Sequence, residues 1–154
     1  MDKKEVEKIL SDIQREFLKP KGFKKVRHTY SRAMDGYVEK YQIQGSAWNT
    51  KDEPWRFYIN CGIFFSDIPR RTPDLDFPET HAHSRASRFV KNAPPHHDLD
   101  NSNIEEIKKE VCSIIEQASD YFKRRWKVVK DSYVRNEYYL GFPSDPELKG
   151  NKDV

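Results

Sequence analysis

Trp55-Arg56-Phe57-Tyr58-Ile59-Asn60-Cys61-Gly62-Ile63-Phe64-Phe65 is the stretch whose reading decides the fold. Its odd-numbered positions, Trp55, Phe57, Ile59, Cys61, Ile63 and Phe65, are all apolar. A period of two places them on one face of a β-strand. The other face carries Arg56, Tyr58, Asn60, Gly62 and Phe64. That face is mixed rather than wholly polar, which predicts a central strand with neighbours on both edges.

Two further strands precede it. Residues 23–32 place Val26, His28 and Tyr30 on one face, and residues 37–46 place Tyr37, Tyr41 and Ile43 on one face. Asp35-Gly36 between them is a hairpin signal. Residues 49–54 are polar and turn-rich, so the three strands read as an antiparallel meander. A fourth strand is expected over residues 84–90, with Ala86, Arg88 and Val90 alternating against Arg85, Ser87 and Phe89.

Helical patterns bracket the strands. Val6, Ile9, Leu10, Ile13 and Phe17 recur at spacings of three and four, and Asp2 with Glu5 has capping-box spacing. Lys19-Pro20-Lys21-Gly22 ends this helix, because proline excludes the helical region for the residue before it. A second stripe runs through Ile104, Ile107, Val111, Ile114, Ile115, Ala118 and Phe122, with Ser102 and Glu105 as its capping box and Trp126 near its end. Cys112 lies off that stripe and reads as an inert packed thiol. The expected fold is α+β: an antiparallel sheet of about four strands packed by one face against an N-terminal and a C-terminal helix. Residues 1–143 read as a single domain. Tyr133, Tyr138, Tyr139, Leu140 and Phe142 supply apolar surface for docking, and residues 144–154 read as a polar, frayed tail.

Composition narrows the class. The chain has 154 residues, and 13% aromatic content excludes global disorder. No apolar run approaches the roughly 20 residues a membrane span needs. Met1-Asp2-Lys3-Lys4 leads into no apolar signal core, so the expected compartment is the cytoplasm. Cys61 and Cys112 form neither a disulfide framework nor a cysteine-based zinc site.

Several ordered segments carry a resemblance. Phe17-Leu18-Lys19-Pro20-Lys21-Gly22-Phe23-Lys24-Lys25 runs from a helix end into a strand, and Tyr30-Ser31-Arg32 follows. Then come Tyr41-Gln42-Ile43-Gln44-Gly45-Ser46, the Phe57-to-Phe65 strand and Arg85-Ala86-Ser87-Arg88. Together, over roughly residues 5–125, they resemble the bacterial family of domain of unknown function 4304. The resemblance implies a small α+β cytoplasmic protein and supplies no activity or catalytic residues. The family pattern has an acidic–Cys–His–x–Arg stretch. Here Thr80-His81-Ala82-His83-Ser84-Arg85 stands in its place without the cysteine, which speaks against a shared cysteine chemistry.

Three constellations could carry chemistry. His81 and His83 fall on one face of an extended segment, and His96 and His97 follow with Asp98 and Asp100 adjacent. Three imidazoles and a carboxylate could hold zinc and support hydrolysis. The alternative is a polar loop of solvated histidines. Arginines form the second group: Arg70, Arg71, Arg85 and Arg88 present planar forks suited to carboxylates and phosphates, or to structural pairing with Asp74, Asp76 or Glu79. At strand spacing Arg85 and Arg88 point to opposite faces. The third is the basic run of Lys123, Arg124, Arg125, Lys127, Lys130 and Arg135, net +5 over thirteen residues and interleaved by Trp126 and Tyr133. It fits a nucleic-acid interface or the solvated end of a helix. Chain-wide charge of only +3 sets the expectation against nucleic acid. No GxSxG, GxGxxG or phosphate-cradling loop occurs.

The reading favoured by these features is a non-catalytic module that binds a ligand or a protein, in the manner of an inhibitor or toxin-neutralising partner. Its contact residues would be Arg85, Arg88, Tyr58, Phe64 and Trp126, with no cofactor. The alternatives are a zinc hydrolase using His81, His83 and His96 or His97, and a nucleic-acid binder using the basic tail.

Overall fold

The computed structural model describes residues 1–71, 77, 79–136, 142, 143 and 145. Helix α1 spans Lys3–Ile13, capped by Asp2, whose carboxylate accepts the Glu5 amide at 2.9 Å. A π-helical segment Gln14–Leu18 and a 3-10 turn Lys19–Lys21 follow, and Gly22 at φ +94° turns the chain into the sheet. The strands are β1 (Lys24–Val26), β2 (Thr29–Met34), β3 (Tyr37–Gly45), β4 (Trp55–Phe64), β5 (Ala82–Arg85) and β6 (His97–Leu99). Helix α2 spans Ile104–Val134.

All pairings are antiparallel in the order β1-β2-β3-β4-β5. Strand β4 is central. One edge pairs with β3, and the other is shared by β5, at Asn60 to Ile63, and β6, at Trp55 to Phe57. Phe57, Ile59, Cys61 and Ile63 are buried with Val6, Ile9, Ile13, Val111, Ile114 and Phe122 in one core between sheet and helices, and Trp55 packs partly buried against it. The α+β architecture with two flanking helices is as the pattern predicts, with six strands among the described residues where about four were expected.

Three local expectations are corrected. The 23–32 strand breaks into β1 and β2 because Arg27 adopts φ +54°, so the chain doubles back at Arg27 and His28. The fourth strand sits earlier than residues 84–90: β5 ends at Arg85 and Ala86–Arg88 form a 3-10 turn. Arg85 and Arg88 therefore do not alternate across a pleat. Finally, the N-cap position of α2 is Asn103 rather than Ser102, and its side chain makes no capping hydrogen bond to the helix. The Asn103 side chain accepts the Asp100 amide at 2.9 Å and donates to the Asp98 carbonyl at 2.8 Å. Ser102 instead donates back to Asp100.

Among the charged side chains of the described residues, Glu39 is the most deeply buried. Glu39 is completely buried on the odd face of β3. Arg32 Nε donates to its Oε2 at 2.9 Å and the Tyr41 hydroxyl to its Oε1 at 2.5 Å. Arg32 also donates to Ser119 Oγ on α2 and to the Lys21 carbonyl, at 2.9 and 3.0 Å. A buried carboxylate is tolerable only with its lone pairs taken in this way. The network ties sheet, α2 and the end of the first helical segment together. Lys108, buried on α2, bridges to Glu16 at 2.6 Å and reinforces the same junction. Of the frayed tail expected over 144–154, residues 144 and 146–154 lie outside the described part. Asp145 is buried and pairs with Arg124. Tyr138, Tyr139 and Leu140 also lie outside it, whereas Phe142 packs on Phe89, Tyr121 and Phe122.

Candidate functional site on the outer face of the sheet

The helices cover one face of the sheet. The pleat sends Val38, Lys40, Gln42 and Gln44 of β3 and Arg56, Tyr58, Asn60, Gly62 and Phe64 of β4 to the other, with His83 and Arg85 of β5 beside them. This outer face has two parts. Over Gly62 it is closed: a Cβ there would stand 2.7 Å from Thr80 Cγ2 and 2.9 Å from the Phe77 ring. Phe77 and Thr80 are buried, and Thr80 Oγ1 donates to the Phe77 carbonyl at 2.9 Å. Lys40 reaches across Phe64 to Glu79 at 3.3 Å.

Toward the other end the face is open and built of polar and aromatic side chains. Asn60 Nδ2 lies 2.8 Å from both Gln42 Oε1 and Gln44 Oε1, so one amide spans two rungs of the sheet. The Arg85 guanidinium lies over the Tyr58 ring at 4.0 Å. Next to Tyr58 is a cleft of about 320 Å³ lined by Ser46, Trp48, Asn49, Arg56 and Asp98 among others. Trp48 is 89% exposed there. Its loop is fastened to β4, because Asn49 exchanges hydrogen bonds with the Arg56 backbone in both directions at 2.8 Å.

Charge on this surface is uneven. Arg56 is neutralised by a two-pronged bond to Asp98, at 2.9 and 3.1 Å, which holds the Asp98 carboxyl below its usual range. Among the described residues Arg85 has no such partner: its Nη1 is buried without a hydrogen-bond acceptor. Burial disfavours its cation, and the nearby positive charge of Arg88 adds to that.

The sequence-predicted site residues separate into groups. Tyr58 and Arg85 meet, and Arg88 stands within electrostatic reach. Phe64 shares the face but lies beyond the Phe77–Thr80 cover. Trp126 is elsewhere: it packs on Tyr37 at 5.6 Å and directly over Gly36, where a Cβ would meet its ring at 2.5 Å. Of the arginines, Arg71 donates to the Val134 carbonyl at 2.9 Å. Glu79 pairs with Lys40, and Asp74 and Asp76 lie outside the described residues.

The four loop histidines are not brought together. His81 is buried, its Nδ1 accepting the Phe65 amide at 3.0 Å and its Nε2 donating to the Ile68 carbonyl at 2.9 Å. Both nitrogens are committed, and burial lowers its pKa. His97 stacks on Phe57 at 4.9 Å on the helix side of the sheet, its Nδ1 lying 3.1 Å from Glu110. His83 sits on the opposite face, near Phe77. Among the described residues no three His, Cys, Asp or Glu side chains cluster in a way that could hold a metal ion. The thiols are free and unactivated: burial raises Cys61 far above its ordinary pKa and Cys112 to about 11. In the basic run, Lys130 pairs with Asp67 at 2.6 Å, Arg124 with Asp145, and Lys127 lies over Trp126. Among the described residues no helix is long and apolar enough to cross a membrane.

Gln42, Gln44, Asn60 and Trp48 were not among the residues singled out from the sequence. The first three were readable by parity, since they share the pleat face of Tyr58. Trp48 had no such signal, because it lies in a turn between strands.

The pattern of one known family matches residues 14–124, described as domain of unknown function. This chain belongs to the DUF4304 family. The DUF4304 match runs from the π-helical segment into α2 and so takes in the whole sheet, with Trp48, Tyr58, Asn60, Arg85 and Arg88 inside it and Trp126 just beyond. No curated protein and no solved structure matches the chain.

Proposed function

We propose that this DUF4304 chain is a non-catalytic binding module of the cytoplasm, and that it meets its ligand on the open outer face of the sheet. The observation that carries the reading is the Arg85–Tyr58 stack continuing into the cleft beside exposed Trp48. Ligand sites combine apolar and aromatic walls with a few convergent polar groups, and this surface has that make-up. Gln42 and Gln44, their Oε1 atoms held by buried Asn60, bring amide groups for orientation, while the stacked ring and indole supply contact area. The chemistry of the remaining candidates supports binding over catalysis. Neither thiol is activated as a nucleophile, and His81 has no free nitrogen to serve as base or metal ligand.

The test is a thermal-shift screen of small metabolites and peptides, with hits re-measured on Trp48→Ala/Tyr58→Ala and on Trp126→Ala. The reading expects hits whose stabilisation disappears in the first variant and survives in the second. Hits that persist in the first variant, or turnover of a hit by the wild type, would overturn it.

A further inference from the structure

The two sheet arginines that lie among aromatic rings differ in one respect. Arg32 stacks on Phe23 at 4.4 Å, and its nitrogens reach Glu39, the Lys21 carbonyl and Ser119. Its charge and its donors are answered within the fold. Arg85 stacks on Tyr58 in the same manner, yet its Nη1 is buried with no acceptor. Arg88 adds a second positive charge nearby, Arg56 takes the Asp98 carboxylate, and among the described residues no carboxylate pairs with Arg85. A buried guanidinium N–H without an acceptor is costly, and folds rarely retain one without use for it. The ring beneath Arg85 fixes the plane of its fork.

From this geometry we infer that Arg85 anchors an anion subsite, where its fork takes an oxyanion of the ligand, a carboxylate or a phosphate. Tyr58 holds the fork flat, and Arg88 adds long-range attraction. The Asn60 amide, opposite Arg85 in the β4–β5 register, stands beside the subsite with its Nδ2 already directed at Gln42 and Gln44. The ligand is thus an anion that also presents a planar or apolar body to Tyr58 and Trp48. The inference rests on the outer face being the ligand surface.

The probes are sodium acetate and sodium phosphate at millimolar concentration, each compared with sodium chloride at equal ionic strength. The readouts are the thermal midpoint and the Arg85 side-chain N–H resonance. In the wild type one or both anions should raise the midpoint and shift that resonance. A larger effect of acetate identifies a carboxylate ligand, and a larger effect of phosphate a phosphoryl group. Arg85→Lys keeps charge without the fork and should weaken the apparent affinity about tenfold or more. Arg85→Met should lose the anion response while melting close to the wild-type temperature in chloride, because loss of the Tyr58 stack is offset by removal of a cation that has no paired carboxylate. Phosphate stabilises proteins generically, so an equal midpoint rise in wild type and Arg85→Met counts against the subsite. An unmoved Arg85 resonance, or an Arg85→Met protein that melts well below wild type, also overturns it. If the anions fail while screened ligands still depend on Trp48 and Tyr58, the subsite falls and the ligand surface stands. If both fail, both readings fall.

Discussion

Truncating two adjacent residues of β4 separates the structural face of the sheet from its functional one. Ile59 is 3% exposed and sits in the core opposite Ile43. Ile59→Ala removes three carbons, worth about 0.8 kcal/mol each on burial. A residual cavity adds to this, so the cost falls at about 2–5 kcal/mol. For a chain of this size each kcal/mol moves the midpoint by about 2–4 °C, giving a drop of roughly 4–20 °C. Tyr58 points the other way and is half-buried. Its replacement by alanine loses the Arg85 stack, worth about 0.5–2 kcal/mol, and a modest contact area. Tyr58→Ala should therefore cost about half as much stability or less, while abolishing ligand stabilisation. Urea denaturation followed by circular dichroism measures both. Equal destabilisation by the two changes would mean that both faces of β4 are structural, and the reasoning for an open face would fail.

Further outcomes follow from the same geometry. Glu39→Gln should cost about 3–5 kcal/mol in urea denaturation, because it leaves the Arg32 guanidinium uncompensated beside Tyr41 and Ser119; a near-neutral effect would show the network to be dispensable. Burial depresses the pKa of His81 and His97, so the unfolded chain binds more protons below the ordinary histidine value of 6.5. Their contribution is present above that value and is lost as pH falls through and below it; denaturation midpoints from pH 7.5 to 5 should decline, and less steeply in His81→Asn. Gly62→Ala should cost about 1–3 kcal/mol by driving a methyl into Thr80 and Phe77, and should raise hydrogen exchange at Thr80 and His81 in particular; unchanged exchange there would refute the close packing.

How far the sequence could be read depended on the scale of each signal. The alternation in β4 spans ten residues, and the stripes of α1 and α2 repeat over several turns, so fold class and core followed from periodicity. Short features escaped. Strand β6 has three residues, too few for alternation to show. The turn at Arg27 uses a non-glycine residue at positive φ, against ordinary turn chemistry. The buried Glu39 was readable in principle, since it shares parity with Tyr37 and Tyr41. Its partner Arg32, however, is brought by pairing across the hairpin, and Ser119 by packing. At the candidate site, Tyr58 and Arg85 were legible as residue types, while their contact depends on the β4–β5 register. The histidine constellation dissolved for the same reason: His83 and His97 lie on opposite faces of one sheet.

The central claim is that the outer face, rather than the helix-covered side or the basic end of α2, is where this DUF4304 chain meets its ligand. Its most direct test is a proton–nitrogen correlation spectrum of the isotope-labelled protein, recorded with and without a saturating ligand from the screen. The account predicts shifts concentrated at residues 42–49, 56–60 and 83–88, with the Trp48 indole and the Arg85 side chain among the largest and the Trp126 indole unmoved. Shifts centred on Trp126 and residues 123–135, with Trp48 and Arg85 silent, would contradict it.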